Sequence, residues 1–136
     1  MTTETVNDVV APLVLVVDDN DLERMLLRYA LEGAEFRVTE ASGGDDALKA
    51  LSNTAVDICV VDGNMPGMDG FELCAHLRSE DSTRKLPVLM LTGLEGDDVR
   101  ARAFAAGANA FLTKSPDFGA VVAKVGELLQ DRPTEH

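Results

Sequence analysis

The sequence contains few of the residues that several common classes of protein require. Only two cysteines occur, Cys59 and Cys74, and their separation does not fit the CxxC spacing of zinc or redox sites. Both are therefore expected to be buried, reduced thiols. No apolar stretch reaches 18 residues, which argues against a transmembrane helix and membrane insertion. The first residues, MTTETVNDVVA, are polar and acidic and do not resemble a secretory signal, so a cytoplasmic location is expected.

Basic side chains are also scarce. Twelve lysines and arginines stand against 24 aspartates and glutamates, which gives a formal net charge of -12. A chain of this charge repels a phosphate backbone, so direct nucleic-acid binding is not expected. Most of the carboxylates are expected to lie on solvated helix faces. The 136 residues, of which 46% are hydrophobic, suffice for one domain with one packed core.

Short apolar segments alternate with amphipathic ones along the chain. The segment PLVLVV at 12–17 is wholly apolar and branched, which predicts a strand buried on both faces. An amphipathic helix is predicted next, with Asn20 and Glu23 placed as a capping box and Gly33 as its end. Its apolar stripe, by the i, i+3, i+4, i+7 spacing, is formed by Leu22, Met25, Leu26 and Tyr29.

The same alternation continues to the end of the chain. Further strands are predicted at FRVTEA, VDICVV, PVLMLT and AFLT, and further helices at DDALKAL, DGFELCAHLRS, DDVRARAFAAG and the stripe Phe118, Val121, Val122, Val125 and Leu129. Five βα units predict an α/β protein, a single doubly wound (βα)5 three-layer sandwich around a parallel sheet. The expected organisation is a flexible N-terminal segment at 1–11, the domain at 12–130 and a C-terminal tail at 131–136.

Polar side chains follow four of the predicted strands. Asp18 and Asp19 come after the first strand, Asp62 ends the third, Thr92 the fourth and Lys114 follows the fifth. Ligands of open parallel sheets bind outside the carboxyl ends of the strands, so these five side chains are expected to lie at one edge. A divalent cation such as Mg²⁺, or Mn²⁺, takes carboxylate oxygens of this kind and would relieve their mutual repulsion.

Asp62 is also a candidate nucleophile. Carboxylates form aspartyl-phosphate intermediates, and phosphoryl transfer needs little beyond positioning and charge stabilisation. A metal, the ammonium of Lys114 and the hydroxyl of Thr92 supply those parts. The three glycines and the proline of GNMPGMDG predict a tight loop, in which the backbone carbonyl of Asn64 is a further candidate metal ligand.

The segments VLVVDDN, VVDGNMPGMDG, VLMLTG and AFLTKSP, in this order, resemble the receiver domains of bacterial two-component response regulators. The resemblance extends from residue 13 to about residue 130. Each segment is a weak motif alone, but the four together at these separations form a specific combination. The resemblance implies the strand order 2-1-3-4-5 of the flavodoxin-like fold.

The resemblance also implies a role for each site residue. Asp62 would accept a phosphoryl group from a sensor histidine kinase or a histidine phosphotransfer protein, without the protein being a true enzyme. Asp19, Asp62 and the Asn64 carbonyl would hold Mg²⁺, and Asp18 would contribute through water. Lys114 and Thr92 would contact the phosphoryl oxygens, and Phe111 would be the aromatic switch residue that moves with Thr92. An unidentified downstream protein, and a phosphorylation-dependent homodimer, would then read the switched state.

Two residues differ from what the chemistry or the family would suggest. Ser115 follows Lys114 where the family usually has proline, so the shape of this loop is left open. Leu94, two residues beyond Thr92, cannot orient an attacking water, which predicts slow loss of the phosphoryl group.

Two other interpretations remain open on the sequence. The chain could be the receiver portion of a longer regulator, such as a diguanylate cyclase or a transcription factor. It could, more remotely, be a phosphatase of the haloacid dehalogenase type, which also uses an aspartate nucleophile at a strand end. That family places a second aspartate two residues after the nucleophile, where this chain has Asn64.

Overall fold

The computed structural model describes residues 10–94 and 96–130, and strands and helices alternate throughout them. Residues 1–9 of the predicted N-terminal segment and the whole predicted tail at 131–136 lie outside the described part. The elements are β1 Leu13–Val17, α1 Asp21–Gly33, β2 Arg37–Ala41, α2 Gly44–Asn53, β3 Ile58–Asp62, α3 Gly70–Ser79, β4 Val88–Thr92, α4 Asp97–Ala105, β5 Ala110–Thr113 and α5 Gly119–Gln130.

The five strands form one parallel sheet in the order β2-β1-β3-β4-β5, which confirms the expected flavodoxin-like fold. The order reverses between β1 and β3, the place at which open α/β sheets bind ligands. Val17 is paired with Val61 and Asp62 with Leu91, so the carboxyl ends of these strands lie side by side. The register therefore brings the strand-end aspartates to one edge.

Two apolar clusters cover the two faces of the sheet. On one face, Leu15, Cys59 and Met90 pack with side chains from α2, α3 and α4. On the other, Val16 and Leu89 pack with side chains from α1 and α5. Alternate residues of each strand thus enter opposite clusters, as the period of a strand requires. The result is the three-layer sandwich that the alternation of elements predicted.

The sequence predicted the wrong buried face for α1. Leu22 and Tyr29 are 59% and 66% exposed, and Met25 and Leu26 are also exposed, whereas Leu27 and Leu31 are buried. The helix has two overlapping apolar stripes about 100° apart, and only one of them can face the sheet. Arg24 and Arg28, on the flank of the buried stripe, bond Glu40 of β2 and fix that rotation.

Both cysteines are buried and unpaired, as expected from their apolar surroundings. Burial raises the pKa of Cys59 to about 12 and also raises that of Cys74, so neither thiol is activated as a thiolate. Within the described residues, no helix has the length and apolar character needed to cross a membrane.

Candidate functional site

Three aspartates meet at the carboxyl edge of β1 and β3. Asp18 and Asp62 are buried and Asp19 is exposed, and each offers a carboxylate oxygen within 4.8 Å of the others. Asp18 is held by the fold, since its backbone N–H donates to the carbonyl of Ala41 on β2. The sequence-based expectation that these residues would converge is met by the geometry.

Burial is the main influence on Asp18. It raises the pKa of this carboxyl from 3.8 to about 6, against the hydrogen bond that the Asn20 N–H donates to Oδ1 at 2.9 Å. The negative charge of Asp62 adds to the upward shift, and the ammonium of Lys114 partly offsets it. A buried carboxylate beside a second carboxylate favours a cation among them.

Asp62 ends β3 with both carboxylate oxygens engaged. Its Oδ1 accepts a hydrogen bond from the Asn64 N–H at 3.1 Å, and its Oδ2 lies 3.3 Å from Nζ of Lys114. The side chain is only about 5% exposed. These contacts explain how a carboxylate can end a strand that is otherwise apolar: the buried charge is paired with an ammonium and hydrogen-bonded.

The loop that follows Asp62 is tightly closed. The Gly70 N–H donates to the carbonyl of Gly63 at 3.2 Å, and a Cβ on Gly70 would stand 2.3 Å from the carbonyl oxygen of Asp62. Gly67 has a φ of 74°, a conformation that favours glycine. Asp69 then caps α3 in a complete capping box with Glu72. The sequence predicted this tight turn from its glycines and proline.

Lys114 reaches the site from the end of β5. Its backbone N–H donates to the Thr92 carbonyl at 2.7 Å, which fixes the start of the side chain beside β4. Its Nζ lies 2.5 Å from Glu23 Oε1, 3.3 Å from Asp62 Oδ2 and 3.4 Å from Asp18 Oδ2. Every peptide bond among the described residues is trans, including the one that joins Lys114 to Ser115.

The charge of Lys114 is stabilised in this position. Burial disfavours the ammonium, but the hydrogen bond to Glu23 and the charges of Asp62 and Asp18 more than offset that effect. The pKa of Lys114 is accordingly raised above its ordinary value. Lys114 therefore stays protonated and supplies one fixed positive charge to the carboxylates.

Glu23 lies at the site, although the sequence predicted a role for it only in the N-terminal cap of α1. It was expected to complete a capping box with Asn20, and only half of that box forms: Asn20 Oδ1 accepts from the Glu23 N–H at 2.9 Å. The Asn20 N–H is already bonded to Asp18, so the Glu23 carboxylate turns to Lys114 instead. The capping-box part of the prediction is wrong for this reason. A contact across 91 residues leaves no local signal in the sequence.

Thr92 and Phe111 occupy neighbouring strands beside the aspartates. Thr92 is 1% exposed, and its Oγ1 accepts a hydrogen bond from the Leu94 N–H at 3.1 Å. Phe111 is partly buried against the cluster that lies under α2, α3 and α4. The hydroxyl is thus placed at the edge of the site, while the ring packs in the core.

A cavity of about 380 Å³ opens next to the aspartates. It lies between the start of α1, the end of β5 and the start of α5. Its lining includes Asp18, Glu23 and Lys114 at the site, and Leu26 and Phe118 farther out. The site is therefore continuous with an apolar recess whose rim includes part of the exposed stripe of α1.

The donor set suits a hard divalent cation. Asp18, Asp19 and Asp62 offer only oxygen atoms, and Mg²⁺ prefers one or two carboxylates completed by waters or phosphate oxygens. Among the described residues Lys114 is the one cation that pairs with Asp18 and Asp62, and the net negative charge that remains favours the same class of ion. The residues at this edge therefore fit Mg²⁺ and equally Mn²⁺.

Response regulators are the known proteins that this chain resembles in sequence. The family model described as the response regulator receiver domain matches residues 14–126. The phosphate regulon transcriptional regulatory protein PhoB of Rhizobium meliloti strain 1021 is 34% identical over 119 residues, which are 88% of this chain. The matched region is 52% of PhoB, so the chain spans about half the length of that relative.

Solved structures share the fold. A putative response regulator from Chloroflexus aurantiacus J-10-fl superposes with a TM-score of 0.84 at 33% identity, covering 88% of this chain and 98% of that one. The response regulator TrrA of Thermotoga maritima, in complex with Mg²⁺–BeF, gives a TM-score of 0.77 at 27% identity over 86% of this chain and 98% of its own.

Proposed function

Since this chain belongs to the response regulator receiver domain family, we propose that it is a phosphorylation-dependent signalling switch whose phosphoacceptor is Asp62. The observation that carries the proposal is the placement of the Asp62 carboxylate 3.3 Å from the Lys114 ammonium and beside Asp18 and Asp19. Receiver domains act in two-component systems as switches and are not enzymes in the ordinary sense. The phosphoryl donor of this chain is a sensor histidine kinase or a histidine phosphotransfer protein.

The covalent step is a displacement at phosphorus. A carboxylate oxygen of Asp62 forms the new O–P bond as the N–P bond of the donor phosphohistidine breaks, and the electron pair returns to the imidazole nitrogen. Lys114 stabilises the charge that develops on the phosphoryl oxygens, and burial of Asp62 keeps competing water away. The short hydrogen bond between the Lys114 backbone and Thr92 holds the ammonium beside the acceptor.

Asp19, Asp62 and the backbone carbonyl of Asn64 are the proposed metal ligands, with Asp18 acting through water. The bound Mg²⁺ or Mn²⁺ would supply positive charge to the phosphoryl oxygens. The complex of TrrA with Mg²⁺–BeF supports such a site in this family. Burial raises the pKa of Asp18, so a neighbouring cation would favour the ionised form of this carboxyl.

The switch itself is assigned to Thr92 and Phe111. Thr92 Oγ1 accepts from a backbone N–H, so its own O–H proton remains available to donate to a phosphoryl oxygen. Such a bond draws Thr92 toward Asp62, and Phe111 on the adjacent strand follows by repacking. The surface formed by α4, β5 and α5 then changes its affinity for a downstream protein or for a second copy of the chain.

The test of the acceptor is intact mass after incubation with acetyl phosphate, with and without Mg²⁺. A gain of one phosphoryl group that requires Mg²⁺ and is absent from Asp62→Asn is the expected result. A gain that persists in Asp62→Asn would place the acceptor elsewhere. Release of more than one phosphate per chain from a generic phosphate ester would favour the phosphatase interpretation, against which the family match stands.

The exposed stripe of α1 is the proposed docking surface for the phosphodonor protein. Leu22, Met25, Leu26 and Tyr29 form an apolar face that nothing in the described chain covers. Leu26 also lines the cavity that leads to Lys114 and Asp18, so a donor resting on this face lies next to the acceptor. This position of the docking surface supports transfer from a kinase or phosphotransfer protein, because a phosphohistidine docked there would lie near Asp62.

A second candidate is that this chain is the receiver portion of a longer regulator. The observation in its favour is that the chain matches only 52% of PhoB, a transcriptional regulatory protein. The reading frame beyond His136 decides the question. A continuing frame that encodes a further domain supports this candidate, and a stop codon there contradicts it.

A further inference from the structure

We infer that Glu23 is a positioning residue that holds the Lys114 ammonium nearer to itself than to Asp62 and so sets the affinity of the site for the phosphoryl group. This inference rests on the proposed function, since it concerns the same acceptor. Of the three carboxylates around Nζ of Lys114, Glu23 is the nearest, at 2.5 Å. Asp62 and Asp18 are 3.3 and 3.4 Å away, beyond the usual range for a charged hydrogen bond.

The position of Glu23 is a consequence of how α1 begins. Glu23 is the third residue of the helix, where a glutamate ordinarily bonds back to the N-cap N–H, as Glu72 does to Asp69 in α3. In α1 the N-cap N–H belongs to Asn20 and is occupied by Asp18. The Glu23 carboxylate therefore has no bond to the N-cap and extends to Lys114 instead. The Glu23 backbone N–H still donates to the Asn20 side chain, which anchors the residue.

Glu23 influences an anion and a cation at the site in opposite directions. An added phosphoryl group competes with Glu23 for the donors of Lys114 and is repelled by the Glu23 charge. Both effects lower phosphoryl affinity. Mg²⁺ is attracted by the same charge. Neutralising Glu23 should therefore tighten binding of a phosphoryl analogue at saturating Mg²⁺, while binding of Mg²⁺ alone stays the same or weakens.

The experiment compares the full chain with Glu23→Gln and with the control Glu32→Gln. Glu32 lies on the same helix and pairs with Arg28, so its substitution removes the same charge away from the site. Titration calorimetry measures the affinity for Mg²⁺ alone, and then for beryllium fluoride at saturating Mg²⁺. For Glu23→Gln we expect beryllium fluoride to bind roughly fivefold tighter, as for loss of one partly exposed ion pair. Glu32→Gln should match the wild type.

A conservative variant separates positioning from charge alone. Glu23→Asp keeps the charge but shortens the side chain, so it withdraws from Lys114, and its affinity for beryllium fluoride should lie between those of the wild type and Glu23→Gln. A Glu23→Gln variant whose affinity for beryllium fluoride is unchanged would overturn the inference. Weaker binding of both ligands would also overturn it, because Glu23 would then support the site as a whole.

The proposed function can fail independently of this inference. A wild type that neither binds beryllium fluoride with Mg²⁺ nor gains a phosphoryl group would overturn the proposed function, and the role of Glu23 with it. A wild type that does both, with variants identical to it, would overturn only the role of Glu23. The melting temperature of each variant is measured in parallel to check that the variant is folded. Because the Glu23 side chain is 46% exposed, its substitution is expected to leave the fold intact.

Discussion

Gly70 shows most directly how one residue supports Asp62, the proposed acceptor. The first residue of α3 approaches Asp62 so closely that the backbone of the two segments is in contact, and only a residue without a Cβ fits there. The tight loop thereby fixes the direction in which Asp62 leaves the strand. Substitution at this point should damage the site through the backbone, without changing any charged group.

Gly70→Ala is expected to lower the free energy of unfolding by about 1 to 3 kcal/mol and to slow phosphoryl loading, because its Cβ would meet the Asp62 carbonyl at 2.3 Å. Urea unfolding and intact mass after acetyl phosphate measure the two effects. The control is Gly126→Ala in α5, where a Cβ meets nothing within 4 Å. That variant should gain about 0.5 to 1 kcal/mol of stability and load normally. Equal effects of the two substitutions would contradict the role given to Gly70.

Leu94 is predicted to influence how long a phosphoryl group on Asp62 would persist. It is 59% exposed just beyond Thr92, and its apolar side chain can neither orient nor deprotonate a water. Leu94→Glu should lose the phosphoryl group severalfold faster than the wild type, followed as decay of the mass-shifted fraction after removal of acetyl phosphate. Leu22→Glu, which adds the same charge at an equally exposed position on α1, should decay as the wild type does. Identical decay of Leu94→Glu and the wild type would refute this prediction.

At the scale of elements, α1 is joined to β2 by a charged network. Glu40 of β2 accepts hydrogen bonds from Arg28 and Arg24, and these bonds lower the pKa of Glu40. Arg24 also donates to the Asp18 carbonyl at 2.6 Å, so the network continues into the turn that carries the site. It fixes which stripe of α1 faces the sheet and which stays exposed.

Glu40→Gln should lower the free energy of unfolding by about 1 kcal/mol at pH 7. The pKa of Glu40 in the folded protein lies below its ordinary 4.5, so the stabilisation is complete above pH 4.5 and is lost as the pH falls through the folded-state value. Urea unfolding of both proteins from pH 7 into the acid range should therefore converge. Glu80→Gln, at an exposed position, should match the wild type throughout. A difference that does not change with pH would contradict this account.

The exposed stripe of α1 makes the second prediction at this scale. Leu26→Gln should slow phosphoryl transfer from a phosphorylated histidine phosphotransfer protein roughly tenfold, because an apolar contact at the docking surface is lost. Loading from acetyl phosphate, which needs no docking, should be unchanged. Phe104→Gln on α4 is the matched control, since both side chains are 41% exposed. Equal losses with both phosphodonors would mean that Leu26 acts on the site and not on docking.

At the scale of the whole molecule, ion binding and folding are linked. Asp18 and Asp62 are buried at the same edge as Asp19, and this concentration of negative charge opposes the folded state until a cation neutralises it. The acidic balance of the entire chain acts in the same direction. The fold tolerates the cluster because two apolar clusters pack against the faces of the sheet.

Mg²⁺ should accordingly stabilise the whole domain. At a concentration about 100 times its Kd, the gain in the free energy of unfolding is about 2.7 kcal/mol. Thermal unfolding with Mg²⁺ and with an equal ionic strength of Na⁺ measures the gain and separates it from general screening. Asp19→Asn, which removes one proposed ligand, should need more Mg²⁺ for the same gain. A gain that Na⁺ reproduces in full would count against a specific site.

The sequence by itself determined the order of strands and helices, the polar residues that end the strands and the tight loop after Asp62. These features are local, because a strand, a turn or a cap is encoded within a few neighbouring residues. The matching of four motifs at their separations then determined the family and its strand order. For the same reason the convergence of Asp18, Asp19, Asp62 and Lys114 could be anticipated, and the chemistry assigned to them stays a prediction.

Only the tertiary structure decided the rotation of α1 and the partners of Lys114. Two apolar stripes on α1 satisfy the same helical periodicity. Hydrogen bonds from Arg24 and Arg28 to Glu40 of β2 select the stripe that faces the sheet. The ion pair of Glu23 with Lys114 depends likewise on groups that folding brings together from the start of α1 and the end of β5. Such choices are settled by long-range packing and charge, and residues distant in the sequence give no local pattern for them.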